Sequence, residues 1–294
     1  MSVTRLNSEC LKCLLNKHIN NIPDNVNEET KILYIQQLLN IISRATMEMS
    51  APEIVVQINQ LRKEMFDYKE DFADVKTYFN DLMLEKESQI EKKIAASEDM
   101  LEQAIVYAML GNYIDFGAMA KVDEEALNQM LDNTQDVNFE KEEIENLGND
   151  LAMATKVVFL TDNCGEIVFD KLLIKTILFL YPNLTIDVIV RGKPVLNDAT
   201  MEDAKQVGLD RLTNVWDNGT DIAGTCLDKI SAVAHEKIEQ ADVVIAKGQG
   251  NFETMRYCGK NVYYLFLCKC KLFAERFGVS LYSGMVINDL RMEK

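Results

Sequence analysis

The sequence predicts an α/β fold with a mostly parallel, Rossmann-like sheet flanked by helices. Two observations in the stretch 151–200 indicate this. The β-rich apolar run Lys156–Leu160 ends in a polar turn and is followed by a helical pattern, and a second run, Ile186–Val190, ends in another polar turn. The distance between the two runs suits a right-handed crossover between parallel strands.

Strands and helices alternate through the rest of the C-terminal half. The predicted strands are Val157–Leu160, Ile186–Val190, Arg211–Trp216, Val243–Ala246 and Val262–Phe266. The predicted helices are Ile167–Leu180, Met201–Val207, Thr225–Gln240 and a short one near Phe252. This alternation is typical of a parallel sheet that is covered by helices.

The N-terminal half is predicted to be all-helical and to pack on the sheet. Apolar residues recur there at three- and four-residue spacing, and the segment from Ser50 to Glu53 has the pattern of a helix start. We expect helices over Asp71–Leu84 and Glu85–Leu110, and an acidic helical segment over Asp123–Asp150. The predicted division is a helical region, 1–150, and an α/β region, 151–294, although the helices could also form one layer on the sheet.

Composition excludes several classes of function. The chain has 294 residues and a formal net charge of −16, without a compensating basic face, which argues against a nucleic-acid partner. Its longest apolar runs are far shorter than the ~20 residues that cross a bilayer. No apolar signal-peptide core precedes residue 20, so we expect a cytoplasmic protein without a membrane partner. The only histidines, His18 and His235, lack metal-binding spacing, which makes His-rich zinc sites and His-based triads unexpected.

The seven cysteines are an odd number, and most are expected to be free thiols in a reducing compartment. Cys10 and Cys13 form a CxxC pair near the N-terminus. This pair has two interpretations: half of a metal or redox site, or two small, partly buried residues on a first helix. No second CxxC follows, and a zinc site normally needs four ligands.

Polar side chains follow the first two predicted strands. Asp162 and Asn163 come directly after one strand, and Asp198 lies in the turn after the next. In parallel sheets, ligands bind at the carboxyl ends of strands, so we expect these turns to meet there. Two carboxylates and an amide oxygen suit a hard divalent cation better than thiolates or imidazoles would.

A third strand end carries a glycine-containing loop. Val243–Ala246 leads into Lys247, Gly248, Gln249, Gly250 and Asn251. The glycines allow close backbone approach, the amides of 248–251 can hold an anion, and Lys247 supplies positive charge. The loop matches neither the Walker motif nor GxGxxG, and a flexible turn is the alternative.

Together the three turns fit metal-assisted phosphoryl transfer, with a cation beside an anionic group. Glu166, at the start of the following helix, could orient a ligand or complement the helix dipole. Asp170 is expected to be structural. The segment from Leu110 to Gly117 has Asn112 and Asp115 among apolar residues, which indicates either a surface turn or a partly buried functional loop.

These residues fall into an ordered set of motifs. They are Cys10-x-x-Cys13, Gly111-Asn-x-Ile-Asp115, Asp162-Asn-x-Gly-Glu166 with Asp170, Arg191-Gly-x-Pro-x-x-Asn-Asp-x-Thr200, and Lys247-Gly-x-Gly-Asn-x-Glu253. The set resembles the damage-control phosphatases, also known for an acidic-residue methyltransferase-like metal-binding domain and formerly grouped as a domain of unknown function. The N-terminal CxxC is similar to that of the stand-alone prokaryotic branch.

The resemblance implies the function and the roles of individual residues. It implies a metal-dependent phosphatase that hydrolyses phosphate monoesters of small, damaged or sugar phosphometabolites with Mg, Mn, Co or Ni. The implied metal ligands are Asp162, Asn163 and Asp198, and the implied catalytic residues are Asp162, Asp198 and Lys247. The implied substrate-binding residues are Asn112, Asp115, Glu166, Lys247, Gly248, Gly250 and Asn251.

Two alternatives from other classes stay open at this point. One is an S-adenosylmethionine-dependent carboxyl methyltransferase, although no glycine-rich loop follows the strand at Val157. The other is a non-catalytic module that binds a metal or a nucleotide.

One segment departs from the family pattern. In the family segment that usually reads Ala-Lys-Cys, Cys268 replaces the small residue, which leaves the role of Lys269 open.

Overall fold

A six-stranded sheet forms the centre of the C-terminal half in the computed structural model of the chain. The structure describes residues 5–67, 71–115, 123–134, 139 and 141–292. The strands are β1 (Lys156–Leu160), β2 (Thr185–Val190), β3 (Asn214–Asp217), β4 (Val243–Lys247), β5 (Val262–Leu267) and β6 (Gly284–Asn288). Their order is β3-β2-β1-β4-β5-β6, and all neighbours are parallel except β5 and β6, which are antiparallel. The predicted, mostly parallel α/β fold is confirmed.

Both faces of the sheet are buried, which explains the nearly continuous apolar runs of its strands. Val157 and Phe159 face one apolar core together with the helix over Glu166–Leu180, whereas Val158 and Leu160 face a second core on the opposite side. The helices of this half are α8 (Glu166–Leu180), α9 (Met201–Gln206), α10 (Ala232–Gln240), α11 (Gly248–Met255) and α12 (Lys271–Phe277).

Several predicted boundaries in this half are wrong. The helix predicted from Thr225 begins only at Ala232, where Ser231 caps it by accepting a hydrogen bond from the Ala234 amide. The strand predicted from Arg211 begins at Asn214, because residues 209–211 form a 3₁₀ turn. Strand β6 and helix α12 were not predicted.

Seven helices precede the sheet in the described part of the chain. They are α1 (Ser8–Asn20), α2 (Glu28–Ser43), α3 (Ala51–Phe66), α4 (Ala73–Ala95), α5 (Met100–Gly111), α6 (Glu124–Asp132) and α7 (Glu142–Met153). The expected start of α3 is confirmed by a capping box between Ser50 and Glu53. The predicted break at residue 84 is wrong, because α4 continues to Ala95 and the next helix begins after Asp99, whose carboxylate accepts from the Glu102 amide.

The helices divide between two apolar cores. Helices α1–α3 form a core of their own, with Leu14, Tyr34 and Ile58 inside it. Helices α4–α7 instead share one core with the sheet and α8. A division into two units at residue 150 stays a prediction. None of the helices among the described residues is both long and apolar enough to cross a membrane.

The strand order positions a site at the carboxyl ends of β1 and β4. These strands are neighbours, but the chain leaves them in opposite directions along the sheet, toward β2 and toward β5. Such a switch point leaves a crevice between the two crossover connections, and ligands bind there in open α/β sheets.

Candidate active site

The turns after β1 and β2 are joined by backbone hydrogen bonds. Asn163 and Asp198 form an isolated antiparallel bridge, and the Ala199 amide donates to the Asp162 carbonyl oxygen at 2.6 Å. The Cys164 amide donates to the Asn197 carbonyl oxygen at 2.8 Å. The structure therefore brings Asp162, Asn163 and Asp198 together, although 36 positions separate the first from the last.

Arg191 connects the two carboxylates. Its Nε donates to Asp198 Oδ2 at 2.6 Å, and its terminal nitrogens donate to Asp162 Oδ1 at 3.3 Å and to Asn251 Oδ1 at 3.2 Å. The side chain is only 1% exposed. Sequence reasoning left open whether Arg191 meets substrate charge or lies exposed on the surface. The available signal for its burial was its position directly after the buried strand β2.

Glu166 and two amide side chains form a second group behind the carboxylates. Glu166 Oε2 accepts from Asn112 Nδ2 and from Asn163 Nδ2, both at 2.9 Å. The same two nitrogens donate to Asp162 Oδ2 at 3.1 and 2.8 Å. Asn112 Oδ1 accepts from the Leu267 amide at 3.1 Å. Asn112 and Glu166 therefore lie at the site, but fully buried and bonded to protein groups.

Lys247 is fully buried among acceptors of the protein itself. Its Nζ donates to Glu166 Oε1 at 2.7 Å, to Asp170 Oδ1 at 2.6 Å and to the Ala108 carbonyl oxygen at 2.9 Å. An ammonium group has three hydrogens, so these acceptors use all of them. Inside the protein, Lys247 therefore binds two carboxylates and one backbone oxygen. The contact between Lys247 and a phosphate that the resemblance implies stays a prediction.

The loop with two glycines forms the first turn of α11. Gly248 has φ +80°, and a Cβ built there would lie 2.7 Å from Asp162 Oδ1 and closer still to Oδ2 and Cγ. A Cβ at Gly250 would overlap the Ala223 carbonyl oxygen. The expected close backbone approach is therefore present, and the partner that approaches Gly248 is the Asp162 side chain.

Asn251 is engaged at both ends of its amide. Its Nδ2 donates to the carbonyl oxygens of Thr161, at 3.1 Å, and Lys247, at 2.7 Å. Its Oδ1 accepts from Arg191 and from Thr225 Oγ1. The side chain thus joins the ends of β1 and β4 to Arg191. The substrate contact that the resemblance implies for Asn251 stays a prediction.

Asp115 pairs with a residue that the sequence left undecided. Lys269 Nζ donates to Asp115 Oδ2 at 2.6 Å, and the two side chains are 4% and 18% exposed. The Lys269 amide donates to Gln249 Oε1 at 3.3 Å, which links the pair to α11. Phe116 and Gly117, the rest of the expected loop, lie outside the described residues.

The buried charges of this site do not balance. Four buried carboxyl groups, those of Asp162, Glu166, Asp170 and Asp198, face two buried cations, Arg191 and Lys247. With all four ionised, these groups have a formal excess of two negative charges. Burial, followed by the charges of Asp198 and Glu166, raises the pKa of Asp162 well above its usual range. Burial raises the pKa of Asp198 to about 6 despite the nearby Arg191. Buried charges of one sign are costly, so the site favours a cation.

The donor types fit a hard divalent cation. Asp162, Asn163 and Asp198 offer two carboxylates and one amide, which are oxygen ligands that such ions prefer. Among the residues that the structure describes, no three His, Cys, Asp or Glu side chains form a metal-binding group. Cys10 and Cys13 are free thiols in α1. Among the described residues, no further His, Cys, Asp or Glu side chain completes a metal site with them.

The fold and the site define a doubly wound α/β protein with an acidic, oxygen-lined crevice at its switch point. The model of the damage-control phosphatase ARMT1-like domain matches residues 6–285 of the chain. The chain belongs to this family. It is therefore a phosphatase, in a family of metal-dependent phosphatases.

Individual relatives agree with this family. The chain is 30% identical to a damage-control phosphatase of Pyrococcus horikoshii over 92% of the chain and 93% of that protein. It is 29% identical to a damage-control phosphatase of Archaeoglobus fulgidus, with 78% and 79% covered. The crystal structure of a DUF89 family protein from Pyrococcus horikoshii superimposes with a TM-score of 0.76 at 25% identity, covering 97% of this chain and 99% of that one.

Proposed function

We propose that the chain hydrolyses phosphate monoesters of small phosphorylated metabolites, with a divalent cation held by Asp162, Asn163 and Asp198. The observation that carries this proposal is the excess of two negative charges among the buried groups of the site. One divalent cation would neutralise it. The names of the relatives, damage-control phosphatases, support damaged phosphometabolites as substrates.

The cation would neutralise phosphoryl oxygens and polarise the phosphorus centre. Asp162 and Asp198 would hold it, and Arg191 would keep the two carboxylates at a fixed separation. Mg and Mn bind readily to carboxylate and amide oxygens, and Co and Ni also bind at sites that contain such ligands. We therefore propose Mg, Mn, Co or Ni as the metal.

The substrate phosphate needs positive partners other than Lys247, whose hydrogens are all used. Lys269, beside Asp115, is a lysine of the site that lies outside the buried Glu166–Asp170 group. The amides of the first turn of α11 begin next to Asp162 and suit an anion. We propose that Lys269 and these amides contact the phosphate, with Asp115 holding the lysine in place.

The methyltransferase and the non-catalytic binding module find less support. The turn after β1 is filled by Asp162 and Asn163, whose side chains bond to carboxylates and a guanidinium within the site. No feature of the described residues favours a nucleoside sulfonium over a phosphate ester.

A phosphatase screen tests the proposal. Purified protein is assayed for phosphate release over a panel of phosphometabolites with Mg, Mn, Co and Ni in parallel. We expect release that EDTA abolishes and that Asp162→Asn and Asp198→Asn each lower by at least 100-fold, whereas Asp132→Asn, on the exposed end of α6, leaves it unchanged. Equal rates in the wild type and both site variants would reject the proposed ligands.

A further inference from the structure

The hydrogen bonds between Glu166 and Asn163 determine which end of the Asn163 amide faces the proposed cation site. The orientation matters because the two ends of a carboxamide differ. Only the oxygen of an asparagine side chain can ligate a cation, whereas its nitrogen carries two hydrogens and can only donate. We propose that Glu166 is a positioning residue that fixes which end of Asn163 faces the cation. Glu166 is held by Lys247, which Asp170 holds in turn. This inference rests on the proposed function.

The acceptors around Asn163 determine its orientation. Its Nδ2 donates to Asp162 Oδ2 at 2.8 Å and to Glu166 Oε2 at 2.9 Å, so both amide hydrogens are bound by carboxylates. Ionised carboxylates only accept, so with Asp162 and Glu166 ionised the reversed amide would place its oxygen against two acceptors. Asn163 Oδ1 is consequently the end of the amide that does not contact Glu166, and Asp198 lies opposite Asn163 across the backbone bridge.

Glu166 is oriented in turn from its other side. Lys247 Nζ, a pure donor, binds Glu166 Oε1 at 2.7 Å and leaves Oε2 to the amides. Asp170 Oδ1, at 2.6 Å, and the Ala108 carbonyl oxygen, at 2.9 Å, hold the ammonium in place. Both lysine contacts to carboxylates are fully buried. Acceptors and donors therefore alternate along the hydrogen bonds that lead to the cation site, in the order Asp170, Lys247, Glu166 and Asn163.

Asn112 supports the same arrangement from α5. Its Nδ2 donates to Glu166 Oε2 at 2.9 Å and to Asp162 Oδ2 at 3.1 Å, while its Oδ1 is taken by the Leu267 amide. The Asn112 oxygen is thus already engaged by a backbone amide. Of the two amides that contact Glu166, Asn163 is the one whose oxygen is not bound by an amide in this network.

Glu166→Gln tests the inference in the intact protein. Lys247 can bind only the new amide oxygen, so the Gln nitrogen would face the nitrogens of Asn112 and Asn163. Asn163 should turn over and present nitrogen to the cation. Lys247 keeps Asp170 as its partner, so we expect a folded protein. Mn²⁺ affinity, measured on metal-free protein by electron paramagnetic resonance without substrate, should fall 10- to 100-fold, the usual range for groups that orient metal ligands.

A matched control separates positioning from general stability. Glu87 also pairs with a lysine of α8, Lys171, at 2.8 Å, outside this network. Glu87→Gln should leave Mn²⁺ affinity unchanged, whatever its effect on the melting temperature. A folded Glu166→Gln protein whose Mn²⁺ affinity is within threefold of the wild type would overturn the inference. If Asp162→Asn also bound Mn²⁺ normally, the proposed cation site itself would be wrong.

A measurement on the wild-type protein tests the inference even if Glu166→Gln fails to fold. The side-chain amide of Asn163 is assigned in a nitrogen-15 spectrum by its loss in Asn163→Asp. Because both of its hydrogens are bound by buried carboxylates, they should exchange slowly with solvent in the metal-free and Mg²⁺-loaded protein. Rapid exchange in both states would contradict the proposed orientation.

Discussion

Gly248 is the position where the backbone lies closest to the proposed cation ligands. A methyl group there would lie 2.7 Å from Asp162 Oδ1 and closer to Oδ2 and Cγ, whereas real Cβ contacts essentially never fall below 3.0 Å. In Gly248→Ala, the Asp162 carboxylate must therefore move by about 1 Å, away from Arg191, Asn112 and Asn163. A misplacement of ~1 Å at a reacting centre can lower the rate about 100-fold.

The substitution also strains the backbone, because Gly248 has φ +80°. A left-handed conformation costs a residue with a Cβ about 1–2 kcal/mol. We expect a folded but less stable protein in urea titrations, with phosphate release lowered by about 100-fold and weaker Mn²⁺ binding.

Gly259 is the matched control for this experiment. It has φ +75°, and a Cβ there would meet nothing within 4 Å. Gly259→Ala should therefore lose a similar amount of stability and keep its activity and Mn²⁺ affinity. If both variants lost activity equally, or if Gly248→Ala kept wild-type activity, the argument from contact with Asp162 would be refuted.

Three other perturbations address the buried charges. Mn²⁺ at 100 times its Kd should raise the free energy of unfolding by about 2.7 kcal/mol, and EDTA should reverse this in thermal melts. Arg191→Met should destabilise the protein by about 3–5 kcal/mol in urea titrations, because it leaves buried carboxylates unpaired. Burial and then Arg62 lower the pKa of His18 from 6.5 to about 4. Neutral His18 thus makes its full contribution to the free energy of unfolding above pH 6.5. About 3 kcal/mol of that free energy should be lost as the pH falls from 6.5 to 4. His18→Gln should flatten that part of a stability–pH curve; an unchanged slope would contradict the assignment.

The parts of the fold that could be predicted from sequence are those with local signals. Strands β1, β2, β4 and β5 are apolar runs that end in polar turns, and parallel pairing places their carboxyl ends together. That reasoning was sufficient to group Asp162, Asn163 and Asp198. Strand β6 was missed because its pairing with β5 depends on a neighbour about twenty positions away rather than on a distinctive pattern of its own.

The roles of individual side chains depended on distant partners. Lys247 was expected to face a phosphate, but its acceptors come from α5 and α8, 77 to 139 positions away. Lys269 pairs with Asp115, 154 positions earlier. The spacing of nearby residues predicts neither the acceptors of Lys247 nor the pairing of Lys269 with Asp115. The sequence therefore indicated which residues belong to the site, but not which of them bond to one another.

The central claim is that the two uncompensated negative charges belong to a divalent cation site. A crystal soaked in MnCl₂ and measured at the manganese absorption edge tests it most directly. We expect one strong anomalous peak within coordination distance of the oxygens of Asp162, Asn163 and Asp198. A fully loaded crystal with its peak elsewhere, and none between these three side chains, would contradict the account.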